Sequence, residues 1–251
     1  MTAGPDAPPP LSLAGTALFL DFDGTLVELA EAPDLIEVPD TLSRLLERLS
    51  ERLEGRLAIV SGRSIADVER HLGRTAFAVS GSHGFELRLA DGRSLAGAAP
   101  ELLGGVRRDV ARFAATAPGL LVEEKPAGIA VHYRRAPQEA GRVAAFLAGV
   151  AERAGLVLQR GKMVVELRPP GADKGEALRR MMTEPPFVGA RPLFVGDDLT
   201  DEHAFAAAAA LGGAGVLVGT PRETAAHWRL PDVAAVVRWL EAAAPKEAVT
   251  R

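Results

Sequence analysis

The chain of 251 residues is long enough for one large domain or for a core with a smaller second unit. Its formal net charge of −4 provides no basic surface for nucleic acid, and the absence of cysteine excludes disulfides, thiol catalysis and thiolate metal sites. No apolar run approaches the length of a membrane span, so no membrane association is expected. Residues 1–15 contain four prolines and no Lys or Arg, unlike a signal peptide, and we expect a disordered leader on a cytoplasmic protein.

The first element is a strand that two aspartates follow directly. Residues 17–20 form an apolar run typical of a strand buried on both faces, and the sequence then continues Asp21-Phe22-Asp23-Gly24-Thr25. Because residues i and i+2 of a strand share a face, Asp21 and Asp23 can contact one small target, and Gly24 lets the backbone turn towards an anion. An isolated aspartate here could be a turn former or a helix cap, but the strand, the Gly and the Thr together favour a catalytic role.

The chemistry that fits this pair is phosphoryl transfer. A carboxylate can attack phosphorus and form an aspartyl phosphate that water later hydrolyses. A second carboxyl can protonate the departing alkoxide and then deprotonate the water. Repulsion between neighbouring carboxylates favours keeping one protonated, which suits Asp23 to the acid role. The same two carboxylates repel a phosphate dianion, so the site needs a hard cation and a fixed positive side chain from elsewhere in the chain.

The next segments alternate between helix and strand. Helical spacing of leucines predicts a helix from about Pro39, then a strand at Leu57–Val60, then a helix that stops at Gly73. This alternation predicts a parallel sheet with right-handed crossovers. Ser61, which follows the strand, could cap the next helix, or it could bind phosphate at the sheet edge where open α/β sheets bind ligands.

A hairpin is predicted from a strand at residues 76–79 and another at 85–89, which leads into the Asp91-Gly92 turn. The connection, Ser80-Gly81-Ser82-His83-Gly84, carries a histidine between glycines. A lone histidine is often structural or merely exposed, so His83 is a weak candidate by itself.

The pattern changes between residues 98 and 168, where helix, two strands, helix and two strands predict an inserted α+β domain. In its strands Glu123 and Lys125 share one face, as do Lys162 and Glu166, while apolar side chains take the other face. The charged face could simply be solvated. Alternatively, its opposed charges suit a polyhydroxylated ligand, whose hydroxyls both donate and accept.

The strand and helix alternation of a parallel sheet resumes after residue 171. Asp173-Lys174-Gly175 opens a helix, and a buried strand at residues 193–195 ends in Gly196-Asp197-Asp198-Leu199-Thr200-Asp201-Glu202. Four acids within six residues repel one another and are expected around a divalent cation bound through oxygen rather than in a solvated loop. Lys174 is one of only four lysines in an Arg-rich chain, which hints at a need for a compact point charge. Residues 216–218 are predicted as the last strand, before a closing helix.

With these sites in hand, the sequence resembles the haloacid dehalogenase superfamily of phosphatases. The motifs that carry this resemblance are, in order, Asp21-Phe22-Asp23-Gly24-Thr25, Ser61, Lys174 and Gly196-Asp197-Asp198. Within the superfamily the chain is similar to the trehalose-6-phosphate phosphatases, through residues 196–202, 81–84, 123–125, 132–134 and 161–166. The resemblance covers residues 17–240. It implies an α/β fold with a Rossmann-like parallel-sheet core at 16–97 and 169–244 and an inserted α+β cap domain at 98–168.

The resemblance also implies an activity: Mg²⁺-dependent hydrolysis of trehalose 6-phosphate to trehalose and phosphate through an aspartyl phosphate. Asp21 is the implied nucleophile and Asp23 the general acid and base, while Ser61 and Lys174 hold the phosphoryl oxygens. The implied Mg²⁺ ligands are Asp21, the backbone carbonyl of Asp23, and Asp197, with Asp198 and Asp201 close by. The implied substrate-binding residues are Arg63, His83, Glu123, Lys125, His132 and Glu166. We expect a monomer acting on a small-molecule phosphosugar.

Two alternatives remain beside this interpretation. The first is a phosphatase of another phosphosugar, such as sucrose or glucosylglycerol phosphate, because the residues alone do not specify the sugar. The second is an inactive sugar-phosphate sensor, which the presence of both aspartates, Lys174 and Asp197 disfavours.

Overall fold

The computed structural model describes residues 5–29, 36, 38–95, 99–125, 128–161, 163–171 and 173–245, without the side chains of residues 99–102. The chain forms two compact units. We refer to the unit formed by residues up to Leu95 and from Asp173 onward as the core, and to the unit between them as the cap. Among the described residues, no helix is both long and apolar enough to cross a membrane.

The core contains a seven-stranded sheet whose strands are all parallel except the edge strand β4. Its strands are β1 (Thr16–Leu20), β2 (Leu57–Val60), β3 (Ala78–Gly81), β4 (Glu86–Arg88), β9 (Arg191–Gly196), β10 (Ala214–Val218) and β11 (Trp228–Leu230). They lie in the order β11-β10-β9-β1-β2-β3-β4. Its helices are α1 (Asp40–Arg52), α2 (Ile65–Leu72), α5 (Lys174–Met182), α6 (Glu202–Ala210) and α7 (Val233–Ala243). This is the predicted fold class.

Alternate residues of β1 face two different hydrophobic clusters. Leu18 and Leu20 belong to one cluster with the apolar face of α1, whereas Ala17 and Phe19 belong to another with residues of α5 and α6. A strand with helices on both faces needs apolar side chains at every position, which explains its uninterrupted apolar run. Since β1 lies between β9 and β2, the residues that follow these three strands meet at one edge of the sheet.

The sequence did not reveal all of the core elements. The strand β10 is not the last one, because β11 pairs with it in parallel. Helix α6 was not predicted either. It is rich in alanine, and four of its residues, Ala204, Phe205, Ala207 and Ala208, are buried, so it lacks the polar face that makes a helix visible in a sequence.

The proline-rich start of the chain also differs from expectation. Four prolines and the absence of Lys and Arg in residues 1–15 led to the prediction of a disordered leader, whereas residues 5–15 make specific contacts with the rest of the core. The Trp239 indole N–H donates to the carbonyl of Pro9 at 2.9 Å, and the Arg229 amide of the edge strand β11 donates to the carbonyl of Asp6 at 2.9 Å. Leu11 and Leu13 pack against the core.

The cap is an α+β unit with a four-stranded antiparallel sheet in the order β5-β6-β8-β7. Its elements are α3 (Ala99–Ala114), β5 (Leu121–Lys125), β6 (Gly128–His132), α4 (Ala140–Ala154), β7 (Val157–Gly161) and β8 (Val164–Arg168). The inner sheet face buries Ile129, Val131, Val165 and Leu167 among side chains of the two helices. Register pairs Glu123 with Ala130 and Ala130 with Glu166, so the two glutamates share the other face. Lys162 lies outside the described residues.

Candidate active site

A buried lysine between two carboxylates forms the centre of the site. Lys174, the first residue of α5, places its Nζ 2.9 Å from Oδ1 of Asp21 and donates to Oδ1 of Asp201 at 2.6 Å. The side chains of Lys174 and Asp201 are 3% and 0% exposed. The other oxygen of Asp201 accepts from the amide of Asp198 at 2.9 Å. Both oxygens of Asp201 are therefore already engaged within the protein.

The start of α5 is fixed by its own sequence. Asp173 caps the helix, because its Oδ1 accepts from the amide of Glu176 at 2.8 Å. Gly175 allows close packing on α6, since a Cβ there would lie 2.4 Å from the carbonyl oxygen of His203. The Asp-Lys-Gly sequence thus brings the lysine to the acidic loop between β9 and α6.

Burial controls the ionisation of this group. Burial raises the pKa of Asp21 well above its usual value; Lys174 opposes the rise and Asp201 adds to it. The pKa of Asp197 is raised to about 6, first by burial and then by repulsion from Asp201. Burial alone would lower the pKa of Lys174, but the Asp21 and Asp201 carboxylates outweigh it and raise that pKa, so the lysine is a fixed cation.

Three carboxylates lie close enough together to surround a hard divalent cation, although the oxygens of Asp201 already accept from Lys174 and from the amide of Asp198. Asp21, Asp197 and Asp201 each offer an oxygen, and these atoms lie within 4.8 Å of one another. Oxygen donors of this kind suit Mg²⁺. Gly24 makes room for Asp197: with φ of +74°, it sits where a Cβ would lie 2.2 Å from Oδ2 of that aspartate. The Thr25 hydroxyl donates to Oδ1 of Asp197 at 3.4 Å, a contact that sequence reasoning missed.

Asp198 does not join these three carboxylates. Its Oδ1 accepts from the amide of Leu199 at 2.6 Å and caps the turn formed by residues 199–201. The sequence predicted Asp198 near the cation, and its role in this structure is to shape the loop that carries Asp197 and Asp201.

Asp23 is paired with Arg63. The Nε and Nη2 atoms of Arg63 donate to the two carboxylate oxygens of Asp23 at 2.7 and 2.8 Å. This bidentate contact, more than any other, raises the pKa of Arg63. From the sequence, only repulsion from Asp21 was expected to act on Asp23, and this partner was not. Arg63 was predicted to bind substrate, and here it binds the predicted acid.

Ser61 lies at the end of β2 and is fully buried. Its Oγ accepts from the amide of Arg63 at 3.1 Å. The cap of α2 is instead Ser64, whose side chain accepts from the amide of Asp67, so the helix-cap alternative for Ser61 is wrong. The backbone carbonyl of Ser61 accepts from the amide of His83 at 3.0 Å, which ties the hairpin connection to this loop.

His83 adopts a backbone conformation that is uncommon for a residue with a side chain, with φ of +56° and ψ of 34°. It lines an open depression of about 380 Å³ in the core. The other residues that line this depression are Asp21, Asp23, Leu29, Gly62, Lys174, Asp197, Asp198 and Thr200. The depression therefore brings His83 together with most of the predicted catalytic and metal-binding residues.

The remaining predicted substrate-binding residues lie together on the outer face of the cap sheet. Lys125 Nζ donates to Oε2 of Glu166 at 2.6 Å, and Nε2 of His132 lies 2.7 Å from Oε2 of Glu123. The first contact is an ion pair, and the second joins a histidine to a carboxylate. Each pair offers both donors and acceptors to a ligand.

One pair beside the acidic loop of residues 197–202 was not expected from the sequence. Arg222, in the loop before β11, forms an ion pair with Glu202 and donates to the carbonyl of Asp198 at 2.9 Å. Glu202 had been counted among the acids around a cation. Arg222 belongs to no motif and lies far from that loop in the sequence, so no pattern indicated it.

The fold is similar to that of a haloacid dehalogenase-like hydrolase from Bacteroides thetaiotaomicron, which superposes with a TM-score of 0.66 at 18% identity, covering 89% of this chain and 97% of that one. A family model described as trehalose-phosphatase matches residues 19–234. The chain is 40% identical over 207 residues to the probable trehalose-phosphate phosphatase of Sinorhizobium fredii, covering 82% of this chain and 78% of that protein. It is 39% identical over 230 residues to the trehalose-6-phosphate phosphatase of Escherichia coli, covering 90% and 85%.

A solved structure described as a trehalose-6-phosphate phosphatase related protein superposes with a TM-score of 0.71 at 28% identity, covering 89% of this chain and 95% of that one. The chain belongs to the trehalose-phosphatase family, a family of phosphatases.

Proposed function

We propose that this protein is a Mg²⁺-dependent phosphatase that hydrolyses trehalose 6-phosphate to trehalose and phosphate through an aspartyl phosphate on Asp21. The observation that carries the proposal is the buried Lys174 beside Asp21, in a chain of the trehalose-phosphatase family. A fixed cation next to a buried carboxylate offers a place for a phosphoryl group that two or three carboxylates alone would repel.

The first chemical step is transfer of the phosphoryl group to Asp21. A carboxylate oxygen of Asp21 forms a bond to phosphorus while the bond from phosphorus to the sugar oxygen breaks. Asp23 donates a proton to that departing oxygen and becomes a carboxylate. Lys174 balances the negative charge on the phosphoryl oxygens, and the Ser61 hydroxyl can donate to one of them.

The second step reverses the role of Asp23. Its carboxylate takes a proton from a water molecule, whose oxygen bonds to phosphorus as the bond to Asp21 breaks, and inorganic phosphate leaves. Arg63 engages both oxygens of Asp23 in this structure and favours its carboxylate form, so loosening of this pair favours the protonated form that the first step needs. Phosphoryl or sugar oxygens are competing acceptors for Arg63, which is consistent with a substrate-binding role for it.

Mg²⁺ would be held by Asp21, Asp197 and the backbone carbonyl of Asp23. Bound there, it would supply positive charge to the phosphoryl group and favour the ionised carboxylates. Asp201 holds Lys174 in place through its ion pair, and Asp198 shapes the loop.

The sugar would be bound by the charged face of the cap sheet. Glu123, Lys125, His132 and Glu166 supply acceptors and donors that match the hydroxyls of a disaccharide, and His83 and Arg63 would bind substrate from the core. The contact between His132 and Glu123 is exposed and costs little to open, and the partly buried pair of Lys125 and Glu166 retains some access to water. A sugar hydroxyl can therefore take the place of one member of a pair and bind the other.

A panel of phosphosugars tests the proposal. We expect trehalose 6-phosphate to release phosphate faster than sucrose phosphate and glucosylglycerol phosphate, each assayed with Mg²⁺ and after removal of metal by EDTA. Chelation should stop turnover, and added Mg²⁺ should restore it, because the site is crowded with carboxylates. Full activity after exhaustive chelation would overturn the metal assignment, and a preference for another phosphosugar would overturn the substrate.

A further inference from the structure

Glu202, the fourth acid in residues 197–202, pairs with Arg222 and does not belong to the group formed by Asp21, Asp197 and Asp201. Its Oε1 pairs with Nη1 of Arg222, and its Oε2 accepts from the amide of Ala225 at 2.8 Å. Both side chains are about three-quarters buried, with 24% and 23% of their surfaces exposed. One carboxylate thus connects the start of α6 to the loop before β11 at two points.

The guanidinium of Arg222 holds the backbone of the acidic loop. Its Nη2 donates to the carbonyl of Asp198 at 2.9 Å and lies 3.5 Å from the carbonyl of Asp197. Its Nη1 also donates to the carbonyl of Glu223 at 3.2 Å, which fixes the arginine on its own loop. A planar group with several donors can make all of these contacts at once, whereas a lysine could not.

These carbonyls need such a donor because the sheet has ended. The register of β9 with β10 stops at the pairing of Gly196 with Leu217, so the residues after Gly196 have left the ladder. The amide of Asp198 is satisfied by Asp201. The carbonyls of Asp197 and Asp198 face the guanidinium of Arg222, which takes the place of the amides that a neighbouring strand would supply.

We propose that Arg222 and Glu202 are positioning residues, which hold the backbone of Asp197 and Asp198 so that the Asp197 carboxylate is directed at Asp21. The inference rests on the proposed Mg²⁺-dependent function. It extends that function, because the geometry of the proposed cation site would then depend on two residues that act through the backbone of Asp197 and Asp198 and not by binding the cation or the substrate.

Removal of Arg222 should change the affinity for a cation in opposite directions, depending on whether the residue positions Asp197 or acts only through its charge. Arg222 is a positive charge beside a cation site, so its removal should strengthen cation binding if charge alone matters. If Arg222 positions Asp197, its removal should weaken binding, as the loss of a residue that supports a metal ligand does by about 10–100-fold.

Mn²⁺ alone, followed by the electron paramagnetic resonance of the free ion, measures this directly and without turnover. We expect Arg222→Met to weaken Mn²⁺ binding by about ten-fold. Arg222→Lys retains the charge, and its affinity for Mn²⁺ should lie between that of Arg222→Met and that of the unsubstituted protein. Arg52→Met removes the same charge from the exposed end of α1 and should bind Mn²⁺ normally. Thermal unfolding of each variant identifies any that fails to fold, and Arg222→Lys replaces Arg222→Met in that case.

Glu202→Gln completes the test as a double-mutant cycle. If the two residues act as one unit, Arg222→Met combined with Glu202→Gln should bind Mn²⁺ as weakly as Arg222→Met alone. Unchanged or tighter binding in a folded Arg222 variant would overturn the positioning role, as would losses that multiply in the double variant. Failure of the unsubstituted protein to bind Mn²⁺ would instead overturn the metal dependence in the proposed function.

Discussion

The core contains a lysine paired with two carboxylates and the cap a lysine paired with one, and the two clusters differ in their access to water. In the core, the side chains of Lys174 and Asp201 are 3% and 0% exposed. In the cap, those of Lys125 and Glu166 are 35% and 21% exposed, and that of Glu123 is 48% exposed. The Lys174–Asp201 and Lys125–Glu166 contacts are both 2.6 Å long, but the more buried one is the stronger interaction.

The difference suits two different tasks. Removing one partner of a buried ion pair costs about 3–5 kcal/mol, because the other charge is left unpaired. Exposed pairs contribute only about 0–1 kcal/mol, since water screens them and their side chains must be ordered. The core cluster is thus fixed in one arrangement, as phosphoryl transfer requires. The cap pairs are more open to water, the contact of His132 with Glu123 more so than that of Lys125 with Glu166, and can exchange partners with a ligand at lower cost.

The largest effect is expected from Asp21→Asn. The amide retains the size of the side chain but is neither anionic nor nucleophilic, so kcat for phosphate release should fall by at least about 10⁴-fold. Circular dichroism should show an intact fold. A folded variant with near-normal turnover would exclude an aspartyl phosphate at this position.

Lys174→Ala should come next, with a loss of about 10²–10³ in kcat because the fixed cation beside the phosphoryl group is gone. It should also lower the free energy of unfolding by about 3–5 kcal/mol, since Asp201 remains buried without its partner. Urea unfolding and phosphate release measure the two losses separately. Lys246→Ala, at a position outside the described residues, removes the same charge and should change neither; equal effects of the two substitutions would remove the special role of Lys174.

Glu166→Ala should have an intermediate effect that depends on the substrate. Losing a hydrogen bond to a charged group costs about 1.5–3 kcal/mol, or roughly ten- to a hundred-fold in kcat/KM for trehalose 6-phosphate. Hydrolysis of p-nitrophenyl phosphate, which has no sugar, should change far less. Matching losses on both substrates would place Glu166 in the catalytic machinery or in the support of the fold, and would contradict sugar binding by the cap.

The smallest effect is expected from His132→Ala, which should hardly change the stability of the cap. Its contact with Glu123 is exposed, so the free energy of unfolding should change by less than about 1 kcal/mol. Urea unfolding followed by circular dichroism measures this change. A loss above about 3 kcal/mol would show that this pair is structural, and the contrast between the two clusters would not hold.

Strand ends were the most predictable features of the molecule. The apolar runs before Asp21, Ser61 and Gly196 indicated parallel strands, and the edge shared by parallel strands implied that the residues after them would meet. Alternation within the cap strands likewise predicted which charged side chains would share a face. These inferences succeed because a strand covered on both faces is apolar throughout, whereas a strand covered on one face alternates between apolar and polar side chains.

Partners that are distant in the sequence could not be predicted. The contacts of Arg63 with Asp23 and of Arg222 with Glu202 depend on which loops come together, and single arginines in an Arg-rich chain give no signal. Helix α6 was missed because its alanines show no polar face, and residues 5–15 were misjudged because their prolines suggested disorder. Their anchors, Trp239 and Arg229, lie near the other end of the chain.

The contact between Asp6 and β11 also bears on self-association. A terminal strand of a sheet exposes backbone groups that can template pairing with another molecule, and proteins commonly block that edge. Here the carbonyl of Asp6 accepts from the Arg229 amide of β11, and a run of prolines, which cannot extend a hydrogen-bonded ladder, continues the segment. The segment around Asp6 therefore covers part of the edge of β11, where the Arg229 amide would otherwise be open to pairing with another molecule.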